Sequence, residues 1–326
     1  MRVLLTGATG LIGPCVLEHL LSRGDDVHVL ALPETVLQVP RHDRVRVVAG
    51  SLAQNDRLGE ATQGVEVVYH LGAMQLGSNP EDLIRVNVQG TGNLLRASVD
   101  NFVRRFVFIS SVAAYGSAPW PYMWPITEDS LLGAHGGDDH RNYGQSKIDG
   151  ENLVREFHRQ HGLEYVIIRP PGVYGPEAEW VEELLEHIFD RPALAFARGA
   201  RSIRMQWVHV RDLSEAIVLA GTRPEAANNV FNVPGDELIT LRTLIAAVRQ
   251  IVIRRSWMDS LGFQPRNRGD YGLKYDLSKA QKLLDYTPRV KLREGLEEII
   301  AAKTDYPWPF PPFTRGPWRR PWLTPS

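Results

Sequence analysis

Residues 6–13 read TGATGLIG, directly after the apolar run RVLLT and at the start of an apolar helical pattern. In a strand–turn–helix unit of this kind, Gly7 permits the tight turn, Gly10 lets the backbone approach a pyrophosphate, and Gly13 allows close helix–strand packing. The helix N-terminus adds free N–H groups and the positive end of its dipole. The stretch therefore predicts a dinucleotide-binding turn. The residues predicted to contact the cofactor here are Gly7, Gly10, Leu11, Ile12 and Gly13.

Short apolar strands alternate with helical segments through the first half of the chain. The predicted strands are Val3–Leu5, Val27–Leu32, Arg44–Ala49, Val65–Leu71, Phe106–Ile109 and Tyr165–Arg169, and the predicted helices are Ile12–Ser22, Pro80–Asn101 and Tyr143–Gln160. Such alternation indicates βαβ units and a parallel sheet with helices on both faces. The strands are nearly all apolar rather than alternating, as expected when both faces are covered. The predicted fold class is α/β, a Rossmann doubly wound parallel sheet.

The pattern changes after Pro170. We predict a Rossmann domain at 1–170 plus 208–233, and a smaller, discontinuous C-terminal substrate-binding lobe at 171–207 and 234–305. In this half the predicted helices are Glu179–Phe189 and Leu241–Val252, and the predicted returns to the sheet are Val208–Ala220 and Val230–Val233. The tail at 306–326 is rich in Pro and Trp, so it cannot continue a helix, and its tryptophans favour docking on the body.

Composition excludes several function classes. Because 37 Lys and Arg residues balance 38 Asp and Glu residues, no global field indicates nucleic acid or an acidic membrane as a partner. A single cysteine excludes an internal disulfide and fits a reducing compartment. No apolar run approaches the roughly 20 residues that span a bilayer. Since Met1 leads directly into a strand, we expect no signal peptide and a cytoplasmic protein.

Seven short motifs follow one another along the chain. They are TGATGLIG at 6–13, VVYHLGA at 67–73, NVQGT at 87–91, Ser110-Ser111 leading to Tyr115-Gly116, YGQSK at 143–147, RPPGVYGP at 169–176 and VHVRD at 208–212. From Arg2 to about Ala302 the chain resembles the extended short-chain dehydrogenase/reductase family, of the NAD-dependent epimerase/dehydratase type. The resemblance implies an NAD(P)-dependent oxidoreductase and a homodimer that pairs through the helices Pro80–Asn101 and Tyr143–Gln160. It also implies cofactor contacts at Ser51, Leu52, Leu71, Gly72, Ala73, Asn87, Ser110, Tyr143, Lys147 and Pro170.

The candidate catalytic residues are Tyr143, Lys147 and Ser111. Tyr143 and Lys147 stand at i and i+4 on a predicted helix, so they share one face. A phenol with a pKa of about 10 is a poor base at neutral pH, and a neighbouring ammonium favours its phenolate. Ser111 follows a strand at the carboxyl edge, where it can donate to a substrate oxygen. Taken singly, the Tyr–Lys spacing is common and Ser111 would be a strand-end cap.

The cofactor type is less clearly encoded. An NAD-preferring domain usually ends its second strand with an acid, and NADP needs a nearby Arg. Here that position is Ala31, with Glu34 able to reach a ribose and Arg41 or Arg44 able to reach a phosphate. Because no Arg directly follows the strand, the sequence favours NAD over NADP by a small margin.

The substrate residues depart from the family pattern. The sugar-nucleotide 4,6-dehydratases that this chain resembles carry an Asp-Glu pair after the Ser/Thr, whereas this chain has Val112-Ala113, which disfavours dehydration. Many sugar-nucleotide epimerases place a diphosphate-binding Asn where Gly172 stands. The aromatic segment 118–125 follows the Ser111 strand, so its side chains either line the pocket or pack under the C-terminal lobe. The candidate substrate contacts are Gln75, Trp120, Tyr122, Gly172 and Arg204.

Histidines and acids near these motifs are given structural roles. His70 ends an apolar strand and is predicted to be buried with its hydrogen bonds satisfied. His135, His140 and Asp138-Asp139 precede Tyr143 without ligand spacing, so we predict a solvated loop and no metal site.

Three functions remain open at this point. The favoured one is hydride transfer at a secondary alcohol or ketone of a nucleotide sugar, by an epimerase or ketoreductase. The second is an NAD(P)H-dependent reductase or dehydrogenase of a small carbonyl compound such as a flavonoid, steroid or polyketide. The third is a non-catalytic dinucleotide-sensing regulator, against which the presence of both Tyr143 and Lys147 argues.

Overall fold

The structure is a computed structural model that describes residues 1–54, 57–116, 125–133, 138–178, 180–181, 205–240, 243–244, 247–248, 251 and 273–302. Several predictions lie outside these residues: Trp120, Tyr122, Arg204, His135, the tail at 306–326, and most of the helices predicted at Glu179–Phe189 and Leu241–Val252. Within the described residues, no helix combines the length and the apolarity needed to cross a membrane.

A seven-stranded parallel sheet forms the centre of the molecule, with strand order β3-β2-β1-β4-β5-β6-β9. Its strands are β1 Arg2–Thr6, β2 Asp26–Ala31, β3 Val45–Ala49, β4 Val67–His70, β5 Arg105–Ile109, β6 Glu164–Arg169 and β9 Asn229–Asn232. The described helices that accompany it are α1 Gly13–Ser22, α2 Leu58–Thr62, α3 Pro80–Asp82, α4 Thr91–Asp100, α5 Asp138–His161, α6 Val210–Thr222, α7 Ser278–Leu284 and α8 Leu292–Ala302. The predicted doubly wound Rossmann sheet is confirmed.

Successive residues of the central strands enter two different cores. Val3 and Leu5 of β1 pack with Leu17 of α1 and Ile217 of α6. Leu4 packs on the opposite face, where buried leucines of α4 and Val154 of α5 lie. The central strands β1, β4 and β5 therefore bury both faces, which explains why they are apolar, whereas the edge strand β3 is partly exposed.

A second, three-stranded sheet lies beyond Pro170, with order β10-β8-β7. It consists of β7 Gly172–Tyr174, β8 Met205–His209 and β10 Leu238–Ile239. Its core contains Tyr174, Trp207 and Leu296, and Leu11 of the glycine turn packs against that core. The dinucleotide turn therefore contacts the part of the chain in which the substrate-binding lobe is predicted.

Two element predictions are wrong. The segment predicted to return to the sheet at Val208–Ala220 is β8 only as far as His209, and α6 follows. His209 caps that helix by accepting a hydrogen bond from the Arg211 N–H, and apolar residues at helical spacing bury its inner face. The predicted loop at Asp138-Asp139 and His140 is instead the first turn of α5, where two acids suit the positive end of the helix dipole.

Candidate active site

The glycine turn between β1 and α1 has three different steric requirements. Gly7 has φ +73°, and a Cβ there would lie 2.7 Å from the Gly72 nitrogen. A Cβ on Gly13 would lie 2.2 Å from the Gly7 carbonyl oxygen, closer than real Cβ contacts come. A Cβ on Gly10 would meet only that same oxygen, at 3.6 Å. The fold itself therefore requires Gly7 and Gly13, while Gly10 leaves open space outside the turn.

The end of α1 nearest this turn fits an anionic group. Ile12 occupies the N-cap position and provides no side-chain hydrogen bond, so the first N–H groups of the helix have no side-chain acceptor. Pro14 stands in the first turn, where a missing N–H costs nothing. Uncapped donors beside an exposed glycine match the needs of a dinucleotide pyrophosphate.

A buried hydrogen-bonded chain supports the turn from behind. Thr6 Oγ1 accepts the Gly72 N–H at 3.0 Å and lies 2.8 Å from Nδ1 of His70. Nε2 of His70 lies 2.9 Å from Oγ1 of Thr91, which donates to the Asn87 carbonyl at 2.6 Å. An imidazole protonated on Nε2 satisfies every member of this chain. Burial, with the nearby Lys147 charge, lowers the pKa of His70 to about 3, so it is neutral. The prediction of a buried, satisfied histidine is confirmed.

Asn87 lies in a π-helical segment, Leu83–Gly90, between α3 and α4. Its side-chain amide accepts the Met74 N–H at 2.7 Å and donates to the Met74 carbonyl and to Oγ of Ser146. Ser146 in turn donates to the Tyr143 carbonyl at 2.8 Å. Asn87 thereby joins the loop after β4 to the helix that carries Tyr143.

Tyr143, Lys147 and Ser111 come together at the carboxyl end of β5. The Ser111 side chain hydrogen-bonds with Tyr143 and also caps a 3-10 turn by accepting the Ala113 N–H at 3.1 Å. The buried Lys147 Nζ donates to the Ile109 carbonyl at 2.9 Å and lies 5.7 Å from the centre of the Tyr143 ring. The sequence predicted that these three residues lie together, and Ser111 both caps the turn and contacts Tyr143; its catalytic role stays a prediction.

Burial dominates the electrostatics of this cluster. It raises the pKa of Tyr143 to about 12, against the lowering effect of the Ser111 hydrogen bond. It lowers the pKa of Lys147 to about 8, against the raising effect of Glu151. A positive charge brought beside the phenol would favour its phenolate, so the cluster is arranged for proton transfer once a cationic group is adjacent.

Two predicted cofactor residues face inward. The Ser110 hydroxyl is buried and donates to Oε1 of Glu151 at 2.6 Å. Pro170 is buried, and its carbonyl accepts the Val112 N–H at 3.0 Å. Their side chains build the wall of the site from behind. Tyr115 is likewise buried: its hydroxyl donates to Asn232 Oδ1 at 2.7 Å.

The residues around the carboxyl end of β2 bear on whether NAD or NADP fits. Arg44 donates to the Gly24 carbonyl at 2.7 Å and pairs with Asp26, both at the amino end of β2. It therefore points away from the carboxyl end, where Ala31 stands and where a ribose phosphate would bind. At that carboxyl edge Ser51 accepts the Ala53 N–H, and Leu52 is buried close to Gly72 and Gly90.

The residues predicted for the substrate are described only in part. Gln75 is exposed in the loop after β4. A Cβ on Gly172 would lie 3.2 Å from Cδ1 of Trp207, whose indole packs edge-to-face against Trp180 at 4.8 Å. Trp207 therefore fills the space beside position 172 that a larger side chain would need.

Comparison with known proteins gives the family. A family model described as the NAD-dependent epimerase/dehydratase family matches residues 3–234, more than half of the chain. The chain belongs to the NAD-dependent epimerase/dehydratase family. The predicted extended short-chain dehydrogenase/reductase family, the prediction of an enzyme and the preference for NAD are confirmed.

Relatives and solved structures cover nearly the whole chain. It is 25% identical to an uncharacterized UDP-glucose epimerase of Bacillus subtilis, over 92% of this chain and 97% of the relative. It is 29% identical to a dTDP-glucose 4,6-dehydratase of Streptomyces niveus, over 92% of each. A UDP-glucose 4-epimerase of Thermotoga maritima, solved with UDP-glucose, superposes with a TM-score of 0.72 at 25% identity, covering 92% of this chain and 97% of that one. A UDP-glucuronic acid 4-epimerase of Bacillus cereus, solved with UDP-glucuronic acid and NAD, gives a TM-score of 0.72 at 25% identity, covering 94% and 100%.

Sequence reasoning missed the polar side chains behind the site. Thr91, Ser146 and Glu151 lie within or next to recognised motifs, but their partners are remote in sequence, so spacing alone could not pair them. One signal was available: Glu151 stands at i+4 from Lys147 and i+8 from Tyr143, on the same face of a helix.

Proposed function

We propose that this chain transfers hydride at a secondary alcohol or ketone of a nucleotide sugar, as an epimerase or ketoreductase with NAD. The observation that carries the proposal is the meeting of Tyr143, Ser111 and Lys147 at the sheet edge next to the glycine turn. Nucleotide-sugar enzymes among the relatives support the substrate class.

Tyr143 is the acid/base in this mechanism. The Ser111 hydroxyl orients the substrate oxygen and hydrogen-bonds with Tyr143, whose phenol exchanges the proton. Lys147 holds its ammonium near the phenol by donating to Ile109, and so stabilises the phenolate. Gly7, Gly10 and Gly13, with the uncapped start of α1, would hold NAD, which supplies the hydride acceptor and a positive charge when bound.

Epimerisation or ketone reduction is favoured over 4,6-dehydration because no acid follows Ser111. Val112 and Ala113 occupy a 3-10 turn at that point. An acid there would be needed to protonate a leaving hydroxyl, and an apolar side chain cannot do so.

Replacement of Tyr143 tests the mechanism. We expect Tyr143→Phe to lower turnover of the accepted nucleotide sugar by about 10²–10⁴-fold, because the proton donor is lost, while NAD affinity changes little. The probes are UDP-glucose, UDP-galactose and UDP-glucuronic acid, followed by NMR, and NADH binding followed by fluorescence. Tyr165→Phe is the control, since Tyr165 packs on His158 away from the cluster. Full activity in Tyr143→Phe would rule out the mechanism.

A second candidate, reduction of a small carbonyl compound, is favoured by one observation. The indole of Trp207 stands beside Gly172, where many nucleotide-sugar epimerases have a diphosphate-binding Asn. An apolar wall at that point suits a substrate without a diphosphate. The two candidates differ in cofactor use: an epimerase needs no added reductant, whereas a reductase consumes one NAD(P)H per product.

We also propose a homodimer. The π segment Leu83–Gly90 with α4, and helix α5, pack side by side on one face of the sheet, and Ile84 exposes 54% of its surface there. Sedimentation should give twice the 36.7 kDa chain mass. Ile84→Glu should shift the protein toward the monomer, because it places a charge in the interface.

A further inference from the structure

Three consecutive residues at the end of β5 meet three residues on one face of α5. The Ile109 carbonyl accepts from Lys147, the Ser110 hydroxyl donates to Glu151, and the Ser111 side chain hydrogen-bonds with Tyr143. Positions 143, 147 and 151 are one helical turn apart. The two catalytic contacts and the Ser110–Glu151 contact therefore share a single strand–helix seam.

The Glu151 carboxylate is fully buried, and each of its two oxygens accepts two hydrogen bonds. Oε1 accepts from Ser110 at 2.6 Å and from Nε of Arg169 at 2.8 Å. Oε2 accepts from Arg169 at 2.6 Å and from Arg155 at 2.9 Å. Four charge-assisted or short hydrogen bonds in a buried environment leave the carboxylate with a single orientation.

Stability alone does not account for a buried pair of this kind. Removing two charges from water costs as much as their attraction returns, so a well-packed apolar pair of similar volume is often as stable as the ion pair. The pair does supply direction, because a bidentate guanidinium fixes the carboxylate plane. That plane in turn fixes the Ser110 hydroxyl, one residue before Ser111.

The Nη1 nitrogen of Arg169 links the Glu151–Arg169 pair to other elements. It donates to the Tyr115 hydroxyl at 2.7 Å and to the Glu128 carbonyl at 3.2 Å. Asn232 accepts from Tyr115, and its own backbone N–H donates to the Glu128 carboxylate at 2.8 Å. Through Arg169, the Glu151 carboxylate is thus anchored to β6, β9 and the loop at 125–133, all of which lie outside helix α5.

We propose that Glu151 is a positioning residue whose buried carboxylate, through Ser110, sets the register in which Ser111 meets Tyr143. The inference rests on the proposed role of Tyr143 as acid/base. Glu151 lies one full turn beyond Lys147 and touches neither the phenol nor the serine that acts on it. It acts only by fixing the position of Ser110 at the end of β5.

Two substitutions each remove one hydrogen bond from the same carboxylate. Ser110→Ala removes the bond that leads to Ser111, and Arg155→Ala removes the bond that the carboxylate accepts from a partly exposed arginine on the same helix. Both variants keep the Glu151–Arg169 pair, so both should fold. Only Ser110→Ala should disturb the catalytic contact.

The readout is the pKa of the Tyr143 phenol in the NAD⁺-bound protein, measured by NMR titration of tyrosine labelled with ¹³C at Cζ. The resonance missing in Tyr143→Phe identifies it. We expect Ser110→Ala to raise this pKa by about half a unit to one unit, as the Ser111 hydrogen bond weakens, and Arg155→Ala to leave it unchanged. The charged groups around the seam are Lys147, Glu151 and Arg155 on α5 and Arg169 on β6, and all four remain in Ser110→Ala; His70 behind it is neutral.

Turnover gives an independent second readout. For an accepted nucleotide sugar, Ser110→Ala should lower kcat about three- to tenfold at neutral pH and leave KM unchanged, whereas Arg155→Ala should change neither. Equal pKa shifts in the two variants, or no shift in Ser110→Ala, would overturn the positioning role. Failure of the native chain to act on any of the three UDP-sugars would count against the proposed function alone, because the titration needs no substrate.

Discussion

The two sides of the site satisfy their buried polar groups differently. On the cofactor side, His70 has a partner at each ring nitrogen, and Asn87 uses both ends of its amide. On the side built by β8, α6 and the segment after α7, three buried polar atoms have no hydrogen-bond partner within the described residues. They are His209 Nε2, Arg211 Nε and Tyr286 Oη.

The difference indicates which side is fixed and which can adjust. A saturated polar network in a dry interior holds one geometry, as a site for a constant cofactor requires. Unpaired buried polar atoms cost stability, so the side that contains them is held by fewer specific contacts and can rearrange more easily. The following predictions test this contrast.

The largest effect is expected at Gly13. Gly13→Ala would place a methyl group 2.2 Å from the Gly7 carbonyl oxygen, which is backbone and cannot swing aside. We expect a loss of about 3 kcal/mol in the free energy of unfolding, measured with urea, together with loss of NADH binding.

Gly10→Ala is the matched control for that substitution. Its Cβ meets only one atom, at 3.6 Å, so the fold should keep its native free energy of unfolding. NADH affinity should nevertheless fall at least tenfold, since the methyl group enters the space that a pyrophosphate needs. Equal destabilisation by both substitutions would mean that the turn is not held as rigidly as the geometry implies.

Acidification tests two of the buried histidines, His70 and His209. Burial lowers the pKa of His70 to about 3 and that of His209 to about 4, below the ordinary value of about 6.5. The unfolded chain therefore binds more protons than the folded one between those values, and stability falls as pH drops below about 6.5. At pH 5 each histidine should cost about 2 kcal/mol relative to pH 7 in urea unfolding.

The variant His209→Gln separates the contribution of His209 to this loss of stability from that of His70. It removes one titrating ring, so its loss of stability from pH 7 to pH 5 should be smaller than the native loss by about 2 kcal/mol. Glu298 lies 3.5 Å from the unpaired Nε2, near Arg211 and Glu294. If Glu298 instead pairs with a protonated His209, the variant and the native chain will lose the same amount, and the supposed cost of the unpaired atom is disproved.

The cofactor side was the predictable one for a physical reason. Its glycines, Tyr143 and Lys147 lie within short stretches whose spacing determines their geometry, so the turn and the shared helix face follow from the chain alone. The Ser110–Glu151 contact joins residues 41 apart, and Trp207 meets Gly172 across two strands. Such contacts depend on tertiary packing, which also explains why the sequence predicts sheet over Val208–Ala220, where a helix begins at Val210: the apolar content fits either element until its burial is known.

Titration of Lys147 should appear within the assay range, unlike that of His70. Burial lowers the pKa of Lys147 to about 8, so its ammonium is lost above that pH and the phenolate of Tyr143 loses support. We expect kcat to fall with rising pH, approaching tenfold per unit above about pH 8, in a pH–rate profile with an accepted nucleotide sugar. Lys147→Met should be much less active and should lack this alkaline limb. A limb of native position in Lys147→Met would assign the titration to another group.

The smallest effect is expected at Gly172, on the adjustable side. Gly172→Ala brings a methyl group to 3.2 Å from a carbon of the Trp207 side chain, so a few tenths of an ångström of movement relieves the contact. We expect a change in substrate KM of about two- to fivefold and no change in NADH affinity, because the glycine turn is untouched. Gly172→Asn should raise the substrate KM further. Combining it with Trp207→Ala should reverse part of that rise, because it opens the space that the indole occupies. If the double variant is no better than Gly172→Asn, the indole is not what restricts position 172, and the substrate side is as rigid as the cofactor side.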